Sequence, residues 1–154
     1  MLSVHKISVD FYEDSFSLIA LHSSLEDYAM AYALNRHIKS NFRRGREDLD
    51  IMEHITVPIF EWRDETNDGY WTLFTNQGVK EDSMIRSDLF RNEPTFTPFH
   101  MVPEYREVDY FLKIEQDDFT ESDSLIKKLH AIPKVVTAYS IPHHKLKSKN
   151  NLIF

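Results

Sequence analysis

Three carboxylates crowd one short stretch of the chain, the residues "VPEYREVDY" from Val102 to Tyr110. Held close together, Glu104, Glu107 and Asp109 would share protons, one serving as acid and another as base. The same letters also describe plain local structure. Pro103 suits the first position of a short helical turn, and Glu104 suits the positive end of that turn. Asp109 then opens a strand, where it can bond the backbone or Arg106. Alternation along that strand turns Asp109 to the side opposite Val108 and Tyr110, so the three cannot line one pocket. On that geometry the motif reads as structural, and no catalytic residue is assigned.

A second acidic group, "EDLDIMEH" over residues 47–54, combines Asp48, Asp50 and Glu53 with His54, a donor set for a hard cation. It lacks the glycine and the fixed spacing of a calcium loop, so it reads as an acidic surface loop. His143 and His144 are adjacent and would point opposite ways on a strand. No GxxxxGK[ST], GxGxxG or GxSxG pattern occurs, and three glycines leave little material for a phosphate cradle. The absence of cysteine excludes a disulfide scaffold, a Cys-based zinc site and a thiol nucleophile. No cofactor and no metal are expected.

The remaining chemistry concerns surfaces. In "KSNFRRGR", Lys39, Arg43, Arg44 and Arg46 form a candidate basic patch for an acidic partner. With Phe42 available for stacking, the same patch suits RNA. A net charge of −7 disfavours a protein whose whole surface grips phosphates or anionic lipid. The closing residues "HHKLKSKNNLIF" are basic and then abruptly apolar. Leu152, Ile153 and Phe154 either fold back onto the domain's own sheet or dock into a partner's groove, which makes them the candidate partner-binding residues.

The elements that position these groups follow from periodicity. "HKISVDFY" suits an opening strand, and "FSLIALHS" is a continuous apolar run of the kind covered on both faces. Ser23 and Glu26 have the spacing of a capping box, leading a helix with Leu25, Tyr28, Ala29 and Tyr32 on one face and an end near Lys39. The stretch "SNFRRG" after it suits a short strand or turn. "ITVPIFEW" and "YWTLFT" predict an antiparallel hairpin, turned by Asn67, Asp68 and Gly69, with Pro58 at a sheet edge or bulge. A polar connection broken by Gly78, Pro94 and Pro98 follows, of a length that is mobile or functional. The strand at 108–115, a helix with Leu125, Ile126, Leu129 and Ile132 inward, and "VVTAYSI" complete a strand–helix–strand unit with parallel strands. Thr120 and Ser122 are available to cap that helix, and Pro133 stops it.

The residues Val102, Pro103, Glu104, then Val108, Asp109 and Tyr110, resemble the signature of the IPExxxVDY family, a bacterial group of the Bacteroidetes, with Val102 in place of the leading isoleucine. "HSSLEDY" and "LKSKNNLIF" are also similar to family sequence. The resemblance implies no activity, because the family's name describes letters and carries no catalytic residue or cofactor with it.

The expectation is therefore an α+β domain over residues 1–142, with a mainly antiparallel sheet, two helices on one face and a ferredoxin-like topology with added strands. Residues 143–154 form its tail. "MLSVHKISVDFY" lacks the apolar core of a signal peptide and no run reaches membrane-spanning length, so the expected location is the cytoplasm. The leading function is a non-enzymatic interaction or adaptor domain that binds a protein or a second copy of itself. Trp62, Trp71 and seven tyrosines supply interface aromatics for it. A small-ligand regulatory domain is the alternative, weakened by the glycine-free turns "LHSSLED" and "EQDDFTESD". An RNA-associated accessory protein is the third reading.

Overall fold

The computed structural model describes residues 16–52, 55–82, 95–117, 119–120, 122–142, 144 and 146–154. In chain order its elements are β1 (Ser17–Ser23), α1 (Asp27–His37), β2 (Arg43–Arg44), β3 (Leu49–Met52), β4 (Ile55–Val57), β5 (Ile59–Asp64), β6 (Gly69–Thr75), β7 (Gln77–Asp82), β8 (Thr95–His100), β9 (Tyr110–Glu115), α2 (Ser122–His130) and β10 (Val135–Ile141). Short 3₁₀ turns cover Pro103–Tyr105 and Lys149–Leu152. The expected opening strand at 5–12 lies outside the described residues, as do Glu53, His54 and His143.

Six strands form one sheet in the order β10-β1-β9-β6-β5-β2, each antiparallel to its neighbours. It follows that β1 and β6 run the same way, as do β9 and β10, and a helix lies in each connection. Two interleaved strand–helix–strand units of this kind are the ferredoxin-like arrangement, here extended by β5 and β2. The strands of the last unit are parallel as expected, with β1 inserted between them. The chain is thus an α+β fold with a mainly antiparallel sheet.

Both helices cover one face. Met30, Ala31 and Leu34 of α1 and Leu125 and Leu129 of α2 join Ile19, Leu21, Leu73, Leu112 and Ile114 in the first core. On the other face Leu18, Ala20, Phe74 and Phe111 meet Val57, Met101, Val102, Leu146 and Leu152 in a second core. Burial on both faces explains the unbroken apolar run of β1, whose Leu18, Ile19, Ala20 and Leu21 are all fully covered.

The second face is graded. One row of directly opposed residues crosses all six strands, from Arg43 through Glu61, Thr72, Lys113 and Leu18 to Ile141. The next row towards the motif, Ile59, Phe74, Phe111 and Ala20, is apolar, whereas the row on the other side reads Arg63, Tyr70 and Glu115. Because side chains alternate with period two, all three rows point to the same side of the sheet.

Several local expectations change. The capping box is not formed: Ser23 ends β1 at a register shift, and Glu26 precedes α1 without a side-chain cap. Ser23 Oγ instead donates to the Lys134 carbonyl at 2.7 Å and accepts from the Leu25 N–H. The helix therefore starts later, and its buried stripe is Met30, Ala31 and Leu34, leaving Tyr28 and Tyr32 outside. Pro58 breaks the run "ITVPIFEW" between two sheets, since β4 pairs with β3 while β5 pairs with β6. The connection after β6 carries its own pairing, β7 with β8. In the β5–β6 hairpin the left-handed residue is Asp68, with φ 51°. Gly69 serves a different need, because a Cβ there would lie 2.7 Å from Gln116 Oε1.

At the sheet's outer margin, His130 of α2 accepts a hydrogen bond at Nε2 from the Ala138 N–H of β10. A side chain thereby covers part of an edge that would otherwise present free backbone donors.

Candidate functional site

The carboxylates of the motif do not converge. Pro103 occupies the first position of the 3₁₀ turn, as its fixed φ and missing N–H favour. Glu104 faces the tail: its Oε2 accepts from the Lys147 N–H at 2.6 Å and the Ser148 N–H at 3.2 Å. Burial raises the Glu104 pKa, but hydrogen bonds from Ser148 and Lys147 outweigh it and hold the group below the usual glutamate range. Asp109 works elsewhere, accepting from the Ser23 N–H at 2.8 Å where β1 ends. Glu107 is exposed on the turn between them. Two acids engaged with separate backbone donors are not a proton-sharing pair.

The organiser of this turn is Asn76, between β6 and β7 and completely buried. Its Nδ2 donates to the carbonyls of Tyr105 at 2.8 Å and Val108 at 3.0 Å, and its Oδ1 accepts from the Val102 N–H at 2.9 Å. Its backbone N–H reaches the Asp109 carbonyl, and its own carbonyl accepts from Met101. One amide side chain thus satisfies three backbone groups of a buried turn, matching both its donors and its acceptor. Asn76 follows Thr75 and precedes Gln77 just after β6, so nothing in the local sequence singles it out for this role.

The tail follows the motif. Leu146 and Leu152 are buried in the second core, and Asn151 Nδ2 donates to the Met101 carbonyl at 2.9 Å. Of the candidate partner-binding residues, Leu152 is therefore packed in cis. Ile153 and Phe154 are 45% and 41% exposed and lie with Leu49, Asp50 and Ile51 of β3 around a cleft of about 100 Å³.

Val108 and Tyr110 are buried on opposite sides of the sheet, not on one side as alternation from Val108 predicts, because the regular strand starts only at Tyr110; Asp109 and Tyr110 line one groove. The Tyr110 hydroxyl donates to the Leu25 carbonyl. Burial first, then the charges of Asp27, Asp109 and Glu26, push its pKa up to about 12. Two of those charges, Glu26 and Asp109, belong to a groove of about 370 Å³ that Ser24, Thr75, Gln77 and Tyr110 also line. Beside it, on the open side of α1, Tyr28 and Tyr32 are 65% and 67% exposed. A hydrogen bond to Glu26, followed by that residue's charge, raises the Tyr28 hydroxyl above the ordinary tyrosine value.

The basic patch is mixed in sign. Asn35 fixes the loop leading to it, accepting from Ser40 Oγ and the Phe42 N–H and donating to the Phe42 carbonyl. Arg43, Arg44 and Arg46 then line an open groove of about 590 Å³ with Arg63 and Tyr70, but Glu47 and Glu61 line it too. Arg44 pairs with Asp48 and stacks over the Phe60 ring at 5.9 Å. Lys39, at a left-handed φ of 57°, ends the helix and is not part of the groove. Phe42 is buried in the first core against Trp62, so it has no face to offer a base. Trp71 likewise belongs to the core, which moves it from the expected interface to the interior, while Trp62 packs on that core and is half-buried. Among the described residues no group of three acidic, histidine or cysteine side chains gathers to hold a metal ion. Nor is any helix there long and apolar enough to cross a membrane. No model of a known protein family matches the chain, and no curated protein matches it in sequence.

Proposed function

We propose that the chain is a non-enzymatic cytoplasmic interaction domain that holds a basic, apolar-containing segment of a partner protein along α1. The observation that carries this reading is the pair Tyr28 and Tyr32, one helical turn apart and each about two-thirds exposed, opposite the stripe that α1 buries. Tyrosine offers large contact area with little conformational entropy to lose, and it is enriched where proteins meet. The acidic groove at the same end of α1 gives the partner's chemistry: Glu26 and Asp109 line it and Asp27 stands beside it. A segment with Lys or Arg next to an aliphatic anchor complements both features. Membership of the IPExxxVDY family belongs to this proposal and is supported by residues 102–110 together with "HSSLEDY" and "LKSKNNLIF".

The test is an array of short Lys/Arg-rich peptides carrying leucine anchors, probed with the full chain. Binding that weakens with added salt, and that is lost in Tyr28→Ala/Tyr32→Ala and in Glu26→Lys, is the expected result. The thermal transition should stay within about 0.5 kcal/mol of the parent, because both rings are exposed. No binding, or binding indifferent to these changes, overturns the reading.

A further inference from the structure

A cavity of about 150 Å³ lies on the helix side of the sheet, apart from the α1 surface and the motif. Its walls come from four places: Ile38 after α1, Trp62, Asp64 and Asn67 of the β5–β6 hairpin with Trp71, then Gln116 and Phe119 after β9, and Ser124, Leu125 and Lys128 of α2. Three of these residues are aromatic and already in contact. Trp62 and Trp71 have ring centroids 5.1 Å apart, and Phe119 meets Trp71 edge-on at 5.9 Å.

Two polar atoms in this wall stand out. The indole N–H of Trp71 and the side-chain carbonyl of Gln116 are buried, and neither has a hydrogen-bond partner among the described residues. Trp71 as a residue is only 6% exposed. Buried polar groups are nearly always satisfied, so an unmatched donor and an unmatched acceptor on two residues that line one cavity call for a common explanation. Asp64 does not supply it: its carboxylate accepts from the N–H and Nδ2 of Asn67, and Trp71 Nε1 makes no bond to it. Gly69 contributes to the arrangement: its missing Cβ is the space into which Gln116 Oε1 fits.

We infer that this cavity is a binding site for a small, planar, uncharged ring bearing an amide edge, whose carbonyl accepts from Trp71 Nε1 and whose N–H donates to Gln116 Oε1. The aromatic walls select a flat ligand. The volume matches one six-membered ring, since a cavity of roughly 150 Å³ is known to accept benzene. Asp64 and Lys128 line the same space with opposite signs, so neither an anion nor a cation finds a net complement. What remains is a neutral ligand recognised by one donated and one accepted hydrogen bond, as in a pyrimidine-type lactam or an aromatic carboxamide. This site does not depend on the protein-docking proposal.

The chain's two tryptophans both line the cavity, so their emission reports directly on it. Calorimetry and tryptophan emission on the full chain would be followed with uracil, nicotinamide, 1,3-dimethyluracil and benzene as probes. Uracil carries the amide in its ring and nicotinamide carries it outside, so whichever binds locates the edge; either result supports the inference. Dimethyluracil lacks the donors and should bind about tenfold or more weakly than uracil, the scale of one lost hydrogen bond at a matched site. Trp71→Phe keeps a ring and removes the donor, Gln116→Met keeps the volume and removes the acceptor, and Gly69→Ala displaces the Gln116 carbonyl. Each should weaken binding by a similar factor. The comparison of uracil with its dimethyl analogue stands even where a variant fails to fold. Binding of benzene alone, equal binding of the two uracils, or binding of no probe overturns the inference.

Discussion

The ring of Phe154 lies over the ammonium group of Lys113, with Nζ 4.1 Å from the ring centroid. Phe16 flanks the same group at 5.0 Å, and Glu115 Oε1 is 3.7 Å away. Lys113 is 2% exposed in the middle of the sheet. Burial lowers its pKa, and the nearby charge of Glu115 only partly restores it. Two aromatic faces and a carboxylate thus replace the water a lysine normally keeps.

This arrangement fixes the sign of a pH effect. Below the lowered folded value, lysine is charged in both states and the folded chain carries the desolvation penalty. Between that value and the ordinary lysine range, the unfolded chain binds the proton and the folded chain does not, so stability rises with pH. Lys113→Met should be neutral to stabilising by about 1–4 kcal/mol at neutral pH, as for other buried charges replaced by apolar groups of similar size. Its advantage should shrink as pH climbs, and melts of both proteins across that range would show it. A large loss of stability in Lys113→Met at neutral pH would mean that the two rings and Glu115 outweigh the desolvation penalty.

Glu104 gives the opposite dependence. Its pKa lies below the unfolded value, so its contribution is complete above the ordinary glutamate range and is lost as pH falls through the folded value. Hydrogen exchange at the Lys147 and Ser148 amides should accelerate on acidification and should already be fast in Glu104→Ala. The global loss in that variant should be on the order of 1 kcal/mol, the scale of a helix-end cap.

Asn76 should be the least replaceable polar residue of the motif region. Asn76→Ala leaves the Val102 N–H and the Tyr105 and Val108 carbonyls without their partner, a loss of roughly 3–5 kcal/mol by denaturant titration. Asn76→Asp preserves the shape but sets a carboxylate against two carbonyl oxygens, so it should be no better tolerated.

Within the tail, neighbouring residues should separate sharply. Leu152→Ala removes a fully buried side chain from the second core and should destabilise by about 2–5 kcal/mol. Ile153→Ala changes a side chain that is nearly half exposed and should stay within about 0.5 kcal/mol. Equal effects in thermal melts would mean that the tail does not pack as described.

Legibility in the sequence followed the range of the interactions. β1, β9 and β10 were readable because their burial leaves an uninterrupted or alternating apolar pattern, and the β5–β6 hairpin because Asn67 and Asp68 mark its turn. The start of α1 was misplaced because Ser23 has the letters of a cap while a bond to Lys134, more than a hundred residues away, holds it in the strand. Tyr28 and Tyr32 shared the period of a buried stripe, and only the true starting residue shows that they face out. The sequence suggested that Asp109 bonds backbone, as it does, but the targets of Glu104 and Asp109 at Lys147, Ser148 and Ser23 were not legible, since nothing local names a partner so distant. The cavity under Trp71 left no pattern at all, because four separate segments build it.

The place of β1 in the sheet has a consequence for the order of events during synthesis. Its only strand neighbours, β9 and β10, begin at Tyr110 and Val135, so a strand apolar on both sides leaves the ribosome long before either partner exists. The hairpins between them close locally, yet the central sheet waits for the last third of the chain. Nascent chains stopped before Tyr110 should therefore lack the native sheet and engage a hydrophobic-binding chaperone, with release only as residues 110–141 become free to pair.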